Sequence, residues 1–209
     1  MFAVSTLATL RHGACADVSQ YGQTTSFLKM HGASIGTFIE FGCANGEENS
    51  NTHMLECLGW HGFCVEPVDV VRSRAHAYSG AVCKPGDNAT DVVVASVSGL
   101  HGVRPDLEAF HARQAGVKRV RCYNLDVLRK QHALRHVTYM TVDTEGNELE
   151  LLKSYAPLNW VTWLQVECNT AQACDNIRTF LKGEQFLMKQ FFLFRNGRGG
   201  GDMLFRRRR

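Results

Sequence analysis

The sequence predicts an α/β protein built on a doubly wound sheet, and three stretches carry that prediction. Residues 37–67 read as strand, glycine turn, helix and second strand, with an acid at the end of each strand. Residues 136–153 repeat the strand–turn–helix pattern. The chain then ends on two apolar runs, FFLFR and DMLFR, joined by the glycine-rich residues 196–201, which read as an antiparallel hairpin.

In the first unit, Phe38, Ile39 and Phe41 form a short apolar run that stops at Gly42-Cys43-Ala44-Asn45-Gly46. A helical segment follows, with Met54, Leu55 and Leu58 apolar and Gly59 as its stop. Phe63, Cys64 and Val65 make the second strand, which ends on Glu66-Pro67. A glycine turn lets a ligand approach the backbone, and the helix start offers free N–H groups. An acid closing the second strand is placed to accept both hydroxyls of a ribose, at about the expected 20-residue interval from the turn. The glycines run G-x-x-x-G, without the spacing that favours a pyrophosphate. Glu40, just before the turn, would repel phosphate and suits a cationic nucleoside such as S-adenosylmethionine.

The segments EFGCANGEENSNT, LECLGWHGFCVEP and YMTVDTEGNELELLKS resemble the FkbM-type family of S-adenosylmethionine-dependent methyltransferases. The resemblance spans roughly residues 38–155, with a gap in the middle. It implies a class I, Rossmann-like fold: a seven-stranded, mostly parallel sheet with a C-terminal antiparallel hairpin. It also implies cofactor binding by Glu40, Gly42, Cys43, Ala44, Asn45, Gly46, Glu66, Pro67 and Asp143. Residues 1–36 become an N-terminal helical lead-in and residues 37–209 the methyltransferase domain. The family's association with O-methylation implies a hydroxyl-bearing small molecule or sugar as acceptor.

In the second unit, Val137, Tyr139, Met140 and Val142 build a strand ending at Asp143, and Glu145-Gly146 opens a helix. Glu148 and Glu150 are read as favourable charges at the positive helix end. Ligands of a doubly wound sheet sit outside the carboxyl ends of its strands, so Asp143 should face the same crevice as Glu40 and Glu66. The run WVTWLQV is a further strand, ending on Glu167-Cys168-Asn169. Asp143 is the candidate base for a substrate hydroxyl, with Glu145 or Glu167 orienting it. Two readings of the acids stay open. Asp143, Glu167 and Asn169 offer hard oxygen ligands for a divalent cation; alternatively, the acids hydrogen-bond to substrate or to one another.

Elsewhere, residues 17–31 read as a helix carrying Phe27, Leu28 and Met30, with Lys29 either facing substrate or solvated. Residues 68–78 read as a helix, 81–83 as the third strand, 84–88 as a turn, 91–97 as a strand and 98–102 as a loop. Residues 103–118, with His111, read as a helix or lid. Residues 120–123 form a short strand before a helix capped by Asp126, and 173–181 a further helix. No residue is assigned to the adenine.

A chain of 209 residues defaults to one domain. Its 44% hydrophobic and 21% charged residues describe a soluble globular protein, and a net charge of +3 demands no polyanionic partner. No apolar run approaches the roughly 20 residues of a membrane span. The N-terminus lacks the basic start of a signal peptide. None of the eight cysteines forms a C-x-x-C pair, which suggests reduced thiols, a cytoplasmic setting and no zinc site. The Arg206–Arg209 run, with Arg195 and Arg198, is a solvated tail or a contact for RNA phosphates; no DNA is expected. An RNA ribose 2′-O-methyltransferase, including the cap-type, is therefore an alternative. That mechanism needs a lysine where this chain has Gln165-Val166-Glu167. A non-catalytic cofactor-binding module is the third reading.

Overall fold

Strand β1 (Thr37–Phe41) pairs in parallel with β2 (His61–Glu66) on one side and with β8 (Val137–Val142) on the other. It sits at the centre of a seven-stranded sheet whose order is β10-β11-β9-β8-β1-β2-β3. The other members are β3 (Ala77–Ser79), β9 (Val161–Cys168), β10 (Phe186–Leu193) and β11 (Gly201–Arg207). Only β11 runs against its neighbours, antiparallel to both β9 and β10. The expected mostly parallel sheet with a C-terminal hairpin is thus present. The structure, a computed structural model, describes residues 15–67, 74, 76–85, 91–97, 100–103, 117–194 and 199–208.

Strand periodicity divides the central strands between two cores. Ile39, Phe41, Met140, Val142, Leu164, Val166, Met203 and Phe205 point to one face. There they pack under α3 (Leu125–Gln131), α4 (Glu148–Ser154) and α5 (Ala171–Gly183) through residues such as Leu128, Leu151 and Ile177. Phe38, Tyr139, Trp163 and Leu204 point to the other face, beneath α1 (Gln23–His31). Phe27 of α1 anchors that side. It is fully buried, stacks on Tyr139 with ring centroids 4.1 Å apart, and meets the edges of Trp60 and Trp163.

This α1 face changes character along the strands. After Phe38 comes Glu40; after Tyr139, Thr141; after Trp163, Gln165 and Glu167; and Asp202 precedes Leu204 on the reversed β11. All of these polar residues are buried. Aromatic packing therefore fills the amino end of this face, and polar groups collect at the end where ligands bind in such sheets.

Several local expectations are corrected. The third strand of the main sheet is β3, inside the segment read as a helix over 68–78, whose residues 68–73 and 75 lie outside the described set. Residues 81–83 form β4 (Ala81–Cys83), which leaves that sheet and pairs with β7 (Val117–Asn124). Gly80 permits this exit, since a Cβ there would lie 2.3 Å from the Arg121 carbonyl oxygen. Strand β5 (Asp91–Val97) stands as expected, but the predicted loop over 98–102 contains β6 (Leu100–Val103), which pairs with it. Most of the proposed lid, with His111, lies outside the described residues, as do the later part of the turn over 84–88, Arg195 and Arg198. Asn124, not Asp126, caps α3: its side chain accepts from the Asp126 and Val127 N–H groups. Helix α4 starts at Glu148, because Glu145 and Gly146 hold φ of 56° and 110° in the loop before it.

The cysteines are the largest correction. All eight are paired, as Cys15–Cys57, Cys43–Cys64, Cys83–Cys122 and Cys168–Cys174. The fold brings residues 6 to 42 positions apart to Cα separations of 5.1–6.2 Å, within the range a disulfide needs. Sequence spacing alone does not reveal such pairs.

Candidate cofactor cleft and acidic site

A cleft opens at the carboxyl ends of β1, β2 and β8. It is lined by Phe41 and Gly42, by Val65, Glu66 and Pro67, by Gly80, Ala81 and Val82, and by Asp143, Thr144 and Asn147. Gly42 is required where it stands: its φ is 81°, and a Cβ would lie 2.0 Å from the Asp143 carbonyl oxygen. Its N–H donates to the Val65 carbonyl, and the Asp143 N–H donates to that of Phe41, so the three strand ends are locked together.

The turn continues through Ala44, held at a left-handed φ of 49°, a conformation disfavoured for a residue with a Cβ. In that geometry the Ala44 N–H donates to Glu66 Oε2 at 2.9 Å. Glu66, only 5% exposed, is thereby aimed along the cleft wall before any ligand arrives. Asn45 accepts from the N–H groups of Glu47 and Glu48, and Gly46 donates to the Cys43 carbonyl, so both shape the turn from within. Cys43 is buried in its disulfide with Cys64. A pre-aimed acid, a glycine floor and an apolar wall from Ala81 and Val82 fit a nucleoside ligand. Gly80, Ala81, Val82 and Asn147 were not singled out from sequence, because nothing in their spacing marks them.

Glu40 does not line this cleft. It is fully buried and accepts from Ser50 Oγ, from the Asn51 N–H and from Thr52 Oγ1 at 2.6–2.7 Å. The Arg74 guanidinium lies 3.6 Å away and also pairs with Glu56. Its charge is therefore neutralised inside the protein, and the expectation that it confronts the ligand is corrected. The Ser50-Asn51-Thr52 motif exists to hold this acid and, through it, the turn.

Beyond the cleft the acids gather. One carboxylate oxygen from each of Asp143, Glu148 and Glu167 lies within 4.8 Å of the others. Ionised carboxylates that close repel by about 3 kcal/mol per pair at an effective dielectric of 20. Asp143 is partly exposed as a residue, yet its Oδ1 is shut off from solvent and accepts no hydrogen bond from the protein; the same holds for Glu167 Oε2. Burial, and then the neighbouring Glu167, raise the Asp143 carboxyl well above its usual range. Burial likewise pushes Glu167 up to about 8, against a hydrogen bond with Asp143 that lowers it. Asp202, opposite Glu167 across β11 and β9, is raised to about 6 by burial although Gln23 Nε2 donates to it at 2.8 Å.

Glu148 was read as helix-end electrostatics, but its Oε1 accepts from the N–H groups of Thr144 and Gly146, so it builds the loop after β8 and joins the cluster. The Asn169 side-chain amide donates to Glu145 at 3.4 Å. Among the acids, histidines and cysteines of the described residues, Asp143, Glu148 and Glu167 are placed to hold a metal ion, and Glu148 was not among the ligands expected from sequence. Lys29 is exposed in the last turn of α1, and Arg198 lies outside the described residues.

The methyltransferase FkbM domain model matches residues 31–188, about three quarters of the chain. The chain belongs to the FkbM methyltransferase family. It is accordingly an S-adenosylmethionine-dependent methyltransferase. No curated protein matches the FkbM chain by sequence. Among solved structures, it resembles the ribosomal protein L11 methylase of Lactobacillus delbrueckii subsp. bulgaricus, at 10% identity and a TM-score of 0.46, over 90% of this chain and 78% of that one. It also resembles TrmK of M. capricolum in complex with S-adenosylhomocysteine, at 10% identity and 0.48, over 90% and 68%. A third is a precorrin-6y C5,15-methyltransferase of Geobacter metallireducens, at 9% and 0.46, over 98% and 91%. None of these likenesses assigns an acceptor to the FkbM chain.

Proposed function

We propose that this protein transfers the methyl group to a hydroxyl oxygen of a small molecule or sugar, with the Asp143–Glu167 pair receiving the hydroxyl's proton. S-adenosylmethionine, when bound, supplies an electrophilic methyl on a sulfonium. Glu66 holds the ribose hydroxyls, and Gly42 keeps the cleft floor clear of side chains. Asp143 borders both the cleft and the acidic cluster, so it meets a substrate that enters beside the cofactor. Two carboxylates held this close bind one proton more readily than an isolated carboxylate does, and a positioned base contributes about 10²–10⁴-fold. The observation that carries this reading is the approach of Asp143 and Glu167 carboxylate oxygens to within 4.8 Å at adjoining strand ends. The same acids make the site a poor host for nearby phosphates. Methyl transfer to a panel of sugars and phenols tests it. Asp143→Asn should lower kcat at saturating cofactor by at least about 10²-fold; unchanged kcat would contradict the reading.

One observation favours RNA as a second reading. Lys189, Arg206, Arg207 and Arg208 line a concave surface on β10 and β11, with Leu187 among them. Such a surface suits a phosphate backbone, and binding to short RNA would then fall steeply with salt. Against it, β9 ends in Gln165, Val166 and Glu167, without the lysine of the ribose 2′-O mechanism, and Gln165 is engaged by Tyr139 and Asn51. Salt-independent or absent RNA binding removes this reading.

Four cystines support an oxidising compartment for the protein in place of the cytoplasm expected from sequence. No helix of the described residues is long and apolar enough to cross a membrane.

A further inference from the structure

We infer that Asp143, Glu148 and Glu167 form a binding site for a hard divalent cation. Three carboxylates from two strand ends and the first residue of α4 converge, each offering one oxygen, with all three oxygens within 4.8 Å. Opposed oxygens around Ca²⁺ lie about 4.6–5.2 Å apart, and around Mg²⁺ about 4.0–4.2 Å, from their ordinary bond lengths. Oxygens no more than 4.8 Å apart fall within the spacing that ligands of one such ion have. Oxygen-only donors select ions of this class over zinc or copper.

A second observation points into the same space. Glu167 is 8% exposed, and its Oε2 is buried with no hydrogen-bond donor; Asp143 Oδ1 is in the same condition. Among the described residues, no lysine or arginine pairs with Asp143, Glu148, Glu167 or Asp202. Contrast Glu40, buried as deeply but given Arg74 and three hydrogen bonds. A shared proton satisfies two of the three clustered carboxylates. A divalent cation satisfies all three. The Glu148 carboxylate is already fixed in position, since the Thr144 and Gly146 N–H groups donate to its Oε1.

The inference deepens the hydroxyl-transfer reading, and rests on it only for the cation's use. There Asp143, Glu148 and Glu167 would hold the ion, which would make the acceptor hydroxyl more acidic, its proton passing to an oxygen of Asp143 or Glu167 not engaged with the ion. Binding itself needs neither cofactor nor acceptor, so the two failures are distinguishable. The test is calorimetric titration of Ca²⁺, Mg²⁺ and Mn²⁺ into chelator-treated full-length protein, with thermal melts of each sample. One site should appear in the wild type, weakened at least tenfold in Glu167→Gln and unchanged in the exposed control Glu47→Gln. A cation-induced rise in melting temperature should vanish in Glu167→Gln even if that variant's own stability changes. No heat and no melting shift with any of the three ions at millimolar concentration would overturn the site, as would equal binding by Glu167→Gln.

Discussion

Asn51 donates its backbone N–H to Glu40 Oε1 at 2.6 Å, and this bond ties the centre of the sheet to the segment leading into α2 (His53–Cys57). It belongs to a sealed network in which Ser50, Thr52 and Arg74 also engage Glu40. Removing one partner of a buried ion pair strands the other, at about 3–5 kcal/mol. Glu40→Ala should therefore lower unfolding free energy by about 3 kcal/mol in urea denaturation. A loss below about 1 kcal/mol would mean that the network is dispensable.

The cystines make a chemical prediction. Protein unfolded without reductant should show no free thiols, and after reduction eight. Reduction should also lower the denaturation midpoint, since one native disulfide contributes about 2–4 kcal/mol. Eight reactive thiols before reduction would refute the pairing and restore a reduced protein.

Asp17 stands in for the missing cap of α1, whose N-cap is Gly22 with no side chain to offer. Its Oδ2 accepts the Thr25 N–H at 2.8 Å, and its Oδ1 accepts from Ser19. Burial acts to raise its carboxyl, yet these hydrogen bonds prevail and hold it below its ordinary value. A depressed acid stabilises the fold above its unfolded pKa, about 3.9, and loses that contribution as pH falls through the folded value. Asp17→Asn should cost about 1 kcal/mol at pH 7, and the gap from wild type should shrink in acid below that folded value. A gap independent of pH would assign the effect to packing.

Phe27 carries the α1 face by contact with Tyr139, Trp60 and Trp163. Phe27→Ala should cost about 3–5 kcal/mol, read by thermal or urea unfolding. A loss under about 1 kcal/mol would show that α1 is not docked through this residue.

The sequence made the main sheet readable because its central strands alternate cleanly and stop at glycines and acids. Gly42, Glu66 and Asp143 were found for that reason: each stands where a strand ends. Glu40 misled because it occupies the same kind of position, and the Arg74 that neutralises it is 34 residues away, in a stretch read as a separate helix. Glu148 looked like helix-end electrostatics until the loop at Glu145-Gly146 placed it beside Glu167. Asp202 reaches the acids only because β11 is reversed, which no local pattern announces. The disulfides were hidden by the same physics, since pairing depends on strand order and not on spacing.

The central claim is that Glu66, pre-aimed by Ala44, holds the cofactor in the cleft beside Gly42. Calorimetric titration with S-adenosylhomocysteine on wild type and Glu66→Ala tests it most directly. The predicted result is one-to-one binding by the wild type and at least about tenfold weaker binding by the folded variant, a loss of about 1.4 kcal/mol or more. Equal affinity in the two proteins, or no binding by folded wild type, would contradict it.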